Sequence, residues 1–166
     1  NLPVAEHVFA LLLALLRKIV TADPAVRAAR WPSQELQGKL INGKTFGLIG
    51  TGAIGANVAK IARAFGATVI AYDVIKRPEL ESAGVLKYVS LDEVLKGSDI
   101  ISLHVPLLKE THHMINEASI SKMKDGAILI NTSRGGVVDQ SALTLALQSG
   151  KLSGAGLDVL EKEPPE

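Results

Sequence analysis

Residues 45–55 read TFGLIGTGAIG, a short apolar run followed by three glycines spaced as GxGxxG. From Ile54 onward, apolar residues recur at helical spacing up to a glycine suited to a helix C-terminus. They are Ile54, Val58, Ile61, Ala62 and Phe65, followed by Gly66. A second apolar run, 68–72, ends at Asp73. Three glycines alone are a weak signal, but the order strand, glycine-rich turn, helix, strand, acid predicts a dinucleotide-binding unit.

The three glycines of such a unit have separate tasks. Gly50 permits the tight turn, Gly52 lets the backbone approach a pyrophosphate, and Gly55 allows the helix to pack closely on the strand. The N-terminus of the helix then offers free N–H groups and a positive dipole to the phosphates. We therefore predict a phosphate-binding loop at 50–55.

Asp73 lies 23 residues after Gly50, near the separation of about 20 expected for the acid that binds the adenosine ribose hydroxyls. A carboxylate at this position repels a 2′-phosphate, so it favours NAD over NADP. Lys76 and Arg77 follow closely and leave tolerance of NADP open.

The rest of the chain repeats the alternation of strands and helices. Further strands are predicted at 85–88, 100–105, 127–131 and 155–159, the first of them a short edge strand. The central runs are almost continuously apolar, as in parallel sheets covered on both faces. The predicted fold class is α/β, a doubly wound parallel sheet of the Rossmann type in three αβα layers, with strand order 3-2-1-4-5-6.

Residues 1–43 lie outside this alternation, although we assign them to the same domain as 44–166. A helix is predicted from about Pro3 to Val20, followed by an irregular arm at 21–42 that contains Trp31-Pro32. Residues 8–16 are apolar almost all round, so the helix must be covered on more than one side. Burial against its own domain and burial in a subunit interface are both open.

Composition excludes several classes of partner and site. Lys plus Arg total 18 against 17 for Asp plus Glu, so the net charge of +1 gives no broad field for nucleic acid or an anionic membrane. The apolar run at 8–16 is far shorter than the roughly 20 residues of a membrane span. The absence of cysteine excludes disulfides and thiolate metal sites, and it fits a reducing compartment such as the cytoplasm. No metal site is expected.

Ligands of such folds bind beyond the carboxyl ends of the strands. The segments expected there are His104-Val105-Pro106, 132–136 and 158–163. Through these segments the sequence resembles the D-isomer-specific 2-hydroxyacid dehydrogenases. This is the family of phosphoglycerate dehydrogenase, D-lactate dehydrogenase and glyoxylate/hydroxypyruvate reductase. The matching motifs run through the whole chain: VAEH at 4–7, the 50–55 loop with Tyr72-Asp73, LHVP at 103–106, NTSRGGVVD at 131–139, and GLDV at 156–159 before Glu163-Pro164.

The resemblance implies catalytic roles for two residues. Arg134 would bind the carboxylate and carbonyl oxygen of a 2-oxo acid, since a guanidinium presents a planar fork and stays charged. Glu163 would hold a catalytic histidine and raise its pKa, so that the ring protonates the carbonyl as hydride arrives from the nicotinamide. Glu161 competes for this role, but the five-residue step from Asp158 favours Glu163.

The resemblance also implies an NAD site. Asp158 would contact the nicotinamide amide, and other positions would line the cofactor. These are Ala53 and Ile54 at the pyrophosphate, and His104, Val105, Pro106, Thr132, Ser133 and Arg134 along the path of the cofactor.

The family's catalytic histidine follows the Glu163 segment and is expected outside these 166 residues, together with the substrate-binding domain. His112 and His113 follow a strand-exit loop and have no acid at a matching position. Like His7 on the first helix, they are interpreted as structural or solvated, while His104 is expected beside the cofactor rather than as proton donor. The chain is therefore expected to bind NADH but to turn over 2-oxo acids negligibly.

Two other functions are weighed against hydride transfer to a small 2-oxo acid. One is a non-catalytic NAD(H)-sensing module like the corepressors of this fold; the other is an oligomerisation scaffold, which would not need Gly52 or Asp73. The substrate is left open among phosphoglycerate, glycerate/hydroxypyruvate and lactate types, the first two slightly favoured. The resemblance further implies a homodimer formed through the N-terminal helix and arm.

Overall fold

One parallel sheet organises the computed structural model, which describes residues 1–31 and 33–164. Within these residues the sheet has six strands in the order β3-β2-β1-β4-β5-β6, which confirms the predicted topology. The strands are β1 (Thr45–Ile49), β2 (Thr68–Tyr72), β3 (Lys87–Tyr88), β4 (Ile100–Leu103), β5 (Ala127–Asn131) and β6 (Leu152–Leu157).

The central strands are covered on both faces. Every residue of β4 and β5 is buried, as their almost continuously apolar sequences predict. The register pairs Ile49 with Leu103, Leu103 with Asn131, and Asn131 with Leu157. The carboxyl ends of these strands therefore lie at one edge of the sheet.

Three strand boundaries differ from the prediction. β4 ends at Leu103 rather than at 105, and the edge strand β3 contains only two residues. β6 covers Leu152–Leu157 rather than 155–159. It begins early because Leu152 pairs with Ala127 of β5, so sheet pairing overrides the weak strand propensity of Ser153 and Gly154.

Helices cover both faces of the sheet and complete the three predicted layers. One apolar cluster contains α1 (Leu2–Leu16), α3 (Ala53–Ala64) and α4 (Pro78–Ser82) on one face. The opposite cluster contains α5 (Leu91–Gly97), α6 (Glu117–Lys122) and α7 (Gln140–Gln148).

The N-terminal region departs most from the prediction of one helix over 3–20 and an irregular arm from 21. The chain turns at Lys18, whose φ of 53° lies in the left-handed region, and a second helix, α2 (Ile19–Arg27), follows. This helix tolerates Pro24 in its interior and is supported by the Arg27–Asp23 pair at i,i+4 spacing. Pro32, part of the predicted arm, lies outside the described residues.

The first helix is buried against its own domain along one face. Ala5, Val8, Phe9, Leu12 and Leu16 are buried in the same cluster as β1 and α3, and the Phe9 ring stacks on Phe46 and Phe65. Burial against its own domain, one of the two alternatives for this helix, therefore accounts for this face. In the described part of the chain, the helices are all too short or too polar to cross a membrane.

Candidate functional site

The loops that follow β1, β2, β4, β5 and β6 meet at the carboxyl edge of the sheet. Backbone bonds join them: Gly50 N donates to Tyr72 O at 2.9 Å, His104 N to Ile49 O at 2.7 Å, and Asp158 N to Asn131 O at 3.0 Å. The residues predicted for the site from these loops therefore lie along one edge.

The glycine-rich loop has the backbone geometry that the sequence predicts. Gly50 has φ of +98°, and a Cβ there would lie 2.5 Å from the carbonyl oxygen of His104. A Cβ on Gly55 would lie 2.2 Å from the Gly50 carbonyl oxygen. A Cβ on Gly52 would meet no atom of the described residues within 4 Å, so this part of the loop faces open space.

The N-terminus of α3 is available to an anion. The helix begins at Ala53 with Gly52 as its N-cap, which has no side chain to accept a hydrogen bond from the first turn. The first N–H groups of an α-helix have no partner within the helix. Together with the helix dipole they make a binding site for phosphate beside Ala53 and Ile54.

Asp73 is held firmly at the end of β2. Its Oδ2 accepts hydrogen bonds from Thr51 N at 2.5 Å and from Thr51 Oγ1 at 3.0 Å, and its Oδ1 accepts from Ile75 N at 3.0 Å. The predicted ribose acid is thus also the link between the glycine-rich loop and the loop after β2. Sequence reasoning assigned no role to Thr51, whose side chain is fully buried.

His104 stands directly after β4, half-buried beside the glycine-rich loop. Its Nε2 lies 2.9 Å from Ser102 Oγ. Burial lowers the pKa of His104 to about 4, so the ring is neutral near pH 7. A neutral ring fits a place beside a cofactor better than the role of proton donor.

Asn131, buried at the end of β5, shapes the loop that carries Arg134. Its Oδ1 accepts hydrogen bonds from Ser133 N at 3.0 Å and Ser133 Oγ at 2.8 Å, while its Nδ2 donates to Arg134 O at 2.9 Å. The motif containing Asn131 was recognised, but this turn-forming role was not assigned. An asparagine at a strand exit is the signal that could have indicated it.

Thr132 holds an unsatisfied group in the same loop. Its Oγ1 is the only buried side-chain nitrogen or oxygen among residues 1–31 and 33–164 without a hydrogen-bond partner. Buried polar groups are almost always paired, so an orphan points to a missing ligand or solvent partner. Arg134, two residues on, is exposed, and its Nη1 donates to Ser133 O at 2.7 Å.

The segment 158–164 packs against the Arg134 loop. A Cβ on Gly135 would lie 1.8 Å from the Leu160 carbonyl oxygen, so the two backbones are in direct contact. Glu163 is exposed, and its Oε1 accepts a hydrogen bond from Leu160 N at 2.8 Å. Asp158 is predicted at the nicotinamide, and its Oδ1 lies 3.3 Å from His7 Nε2.

His113, interpreted from the sequence as structural or solvated, has an acidic partner that the sequence analysis did not identify. Its Nε2 lies 2.5 Å from Glu161 Oε1, across 48 residues of sequence, because the loop after β4 and the loop after β6 meet. This hydrogen bond, with a second from Gln140 N, lowers the pKa of Glu161.

His112, His113 and Glu161 bring three possible metal-ligand atoms within 4.8 Å of one another. The His112 and His113 rings are stacked with centroids 4.0 Å apart. Both carboxylate oxygens of Glu161 already accept hydrogen bonds, one from His113 and one from Gln140 N. These hydrogen bonds therefore account for the geometry, and we assign no metal to the three residues.

The residues at the sheet edge fit an NAD dinucleotide. The open surface above Gly52, the free N–H groups at the start of α3 and the fixed carboxylate of Asp73 suit a pyrophosphate and an unphosphorylated ribose. The orphan hydroxyl of Thr132 offers a further polar contact at the opposite end of the edge.

Comparison with known proteins agrees with this geometry. Residues 9–166 match the family model of the D-isomer specific 2-hydroxyacid dehydrogenase, NAD binding domain. The chain is 51% identical to hydroxypyruvate reductase of Thermotoga maritima over 98% of its own length and 52% of that protein. It is 50% identical to glyoxylate reductase of Thermococcus litoralis over 96% of its length and 50% of the relative.

The solved structures include D-lactate dehydrogenase of Aquifex aeolicus in complex with NAD and lactic acid. It superimposes with a TM-score of 0.92 at 53% identity, covering 96% of this chain and 48% of that one. The chain thus spans about half the length of the relatives it matches.

Proposed function

Because the chain belongs to the D-isomer-specific 2-hydroxyacid dehydrogenases, as their NAD-binding domain, we propose that the protein transfers hydride between NAD(H) and a small 2-hydroxy or 2-oxo acid. The observation that carries the proposal is the exposed Arg134, placed by Asn131 at the sheet edge next to the orphan hydroxyl of Thr132. A protein that only binds nucleotide has no need of an exposed guanidinium there.

The cofactor and the side chains of the protein contribute different parts of the reaction. Bound NADH supplies the hydride to the substrate carbonyl. Arg134 binds the carboxylate and the carbonyl oxygen of the 2-oxo acid, which orients the substrate and stabilises negative charge on that oxygen. The loop 50–55 and Asp73 hold the dinucleotide.

Glu163 is proposed to hold the histidine that protonates the carbonyl oxygen. The structure supports Glu163 over Glu161, since Glu161 is engaged by His113 and Gln140. Glu163 Oε2 makes no hydrogen bond with the described residues, so it is free for an imidazole. This assignment is a proposal that rests on the family resemblance.

The substrate is proposed to be a two- or three-carbon 2-oxo acid. Two relatives near 50% identity are named hydroxypyruvate reductase and glyoxylate reductase. A small acid also suits recognition through one guanidinium, because few other groups need to be bound. Phosphorylated and unphosphorylated three-carbon acids are compared in the test below.

The test measures NADH oxidation by the whole protein with glyoxylate, hydroxypyruvate, pyruvate and 3-phosphohydroxypyruvate. Replacing Arg134→Gln should lower kcat/KM on the order of 100-fold, as expected when one partner of a charged pair is removed. NADH affinity should fall much less than kcat/KM, although Arg134 also lies along the path of the cofactor. Wild-type turnover by the R134Q variant, or no turnover of any 2-oxo acid by the wild-type protein, would overturn the proposal.

The assembly and location of the protein are part of the same proposal. A homodimer through the N-terminal helix and the arm, which includes α2, is supported by the apolar side chains that this region leaves exposed. A cytoplasmic location is supported by the absence of cysteine in the chain. For the 166-residue polypeptide we expect NADH binding with negligible turnover.

A further inference from the structure

We propose that Tyr88 is a positioning residue that sets the preference of the cofactor site for NADH over NADPH. It lies on the edge strand β3 and is 8% exposed. Its hydroxyl joins the glycine-rich loop, 50–55, to the loop after β2, 73–77. The inference concerns the cofactor site alone and is independent of the substrate proposed above.

The hydrogen bonds form a chain with one possible direction. Thr51 Oγ1 lies 3.0 Å from Asp73 Oδ2 and 2.8 Å from the Tyr88 hydroxyl oxygen. A carboxylate only accepts, so the single hydroxyl proton of Thr51 goes to Asp73. Tyr88 must then donate its own proton to Thr51.

The tyrosine oxygen completes the chain by accepting a hydrogen bond from Arg77 N at 2.9 Å. The bonds therefore run from the Arg77 N–H through two hydroxyl groups to the Asp73 carboxylate. Thr51 is fully buried, so water does not compete, and chains of this kind strengthen each member bond.

This series of hydrogen bonds affects the binding of NADH and the binding of NADPH. It fixes the carboxylate of Asp73, whose negative charge repels a 2′-phosphate. It also fixes the backbone beside the two cations that could bind such a phosphate. Arg77 Nε donates to Glu79 Oε1 at 2.8 Å, and Lys76 Nζ lies 5.6 Å from the centroid of the Tyr88 ring.

Replacing Tyr88→Phe tests the role, because it removes the hydroxyl and keeps the ring. Isothermal titration of the chain with NADH and with NADPH gives the ratio of the two Kd values. We expect Y88F to lower the preference for NADH about three- to tenfold, the effect of losing a buried hydrogen bond. Thr51→Val should shift the ratio in the same direction, and Thr51→Ser, which retains the hydroxyl, should shift it less.

The matched control is Ser98→Ala. Ser98 is also buried, and its Oγ donates to Val94 O at 2.6 Å, but it lies before β4 at the opposite edge of the sheet. Ser98→Ala should lower thermal stability without changing the ratio of the Kd values for NADH and NADPH. If Y88F unfolds the chain, the comparison of T51V with T51S carries the test.

Two results would overturn the inference. One is an equal loss of affinity for NADH and NADPH in Y88F and T51V, which would make the network merely structural. The other is additive effects in the Y88F/T51V double variant, since members of one chain of hydrogen bonds must be coupled.

Discussion

Gly52 and Gly55 lie in the same loop but differ in the space around them, which separates cofactor binding from folding. Gly52 has an ordinary φ of −59°, and a Cβ there meets open space. Gly52→Ala should therefore change the free energy of unfolding by less than about 1 kcal/mol. It should lower NADH affinity roughly tenfold or more, because the methyl group occupies the surface that the pyrophosphate approaches.

Gly55→Ala is the companion variant with the opposite expectation. Its Cβ would meet the Gly50 carbonyl oxygen at 2.2 Å, so the loop and helix must separate. A loss of about 1–3 kcal/mol in the free energy of unfolding is expected, as for other overpacked sites. Urea denaturation and NADH titration of both variants check the pair; an NADH affinity unchanged in Gly52→Ala would contradict a phosphate-binding role for the loop.

His104 makes the stability of the domain depend on acid. Its pKa of about 4 in the folded chain lies below the usual 6.5, so protonation favours the unfolded state. This contribution is fully present above pH 6.5 and is lost as the pH falls towards 4. The loss should reach about 3 kcal/mol.

The His104→Gln variant isolates the contribution of His104 to the pH dependence of stability. The glutamine side chain cannot titrate, and it keeps an amide near Ser102. The difference in free energy of unfolding between about pH 7 and about pH 4 should be smaller in the variant than in the wild-type chain. Carboxylates that titrate in the same range cancel in this comparison. Equal pH dependence of the two proteins would show that His104 is not buried as described.

Asp139 controls the start of α7, directly after the loop that carries Arg134. Its Oδ1 accepts hydrogen bonds from Ser141 N and Ala142 N, both at 3.0 Å. Asp139→Ala should lower the free energy of unfolding by about 1–2 kcal/mol through loss of the N-cap. Asp139→Asn keeps the acceptor and should cost less, since only the charge at the helix dipole is lost. Equal losses in both variants would mean that the cap contributes nothing.

The helices and strands could be predicted where their residues carried the signal locally. Gly66 has the positive φ expected beyond a helix C-terminus, and Ser90 and Glu93 form a capping box at the start of α5, a pairing that the Ser-x-x-Glu spacing carries. The turn at Lys18 could not be predicted, because a lysine in the left-handed region has no sequence signature. The early start of β6 is likewise decided by its neighbour β5 rather than by its own residues.

The candidate site could be predicted as a set of strand exits, because parallel strands bring their carboxyl ends to one edge. The hydrogen bonds within the site could not be predicted from the sequence. Thr51, Tyr88 and Asp73 are joined over as many as 37 residues of sequence, and His113 meets Glu161 over 48. Such pairs depend on where loops cross, which only the assembled sheet determines.

The exposed apolar side chains at the N-terminal end of the molecule lead to a prediction about assembly. Ile19, Val20 and Trp31 are 52%, 76% and 77% exposed, and Leu2, Val26 and Leu40 lie in the same part of the chain. Several large apolar side chains left exposed in one part of the chain suit an interface better than a free surface. We expect the wild-type chain to sediment as a dimer and the Ile19→Asp/Val20→Asp variant as a monomer.

Leu145→Asp provides the matched control, since Leu145 is 65% exposed on α7, which covers the other face of the sheet. This variant should remain dimeric. All three proteins should bind NADH alike, because the substituted residues lie outside the loops of the carboxyl edge. A wild-type chain that stays monomeric at high concentration, or equal dissociation by Leu145→Asp, would contradict an interface built from α2 and the arm.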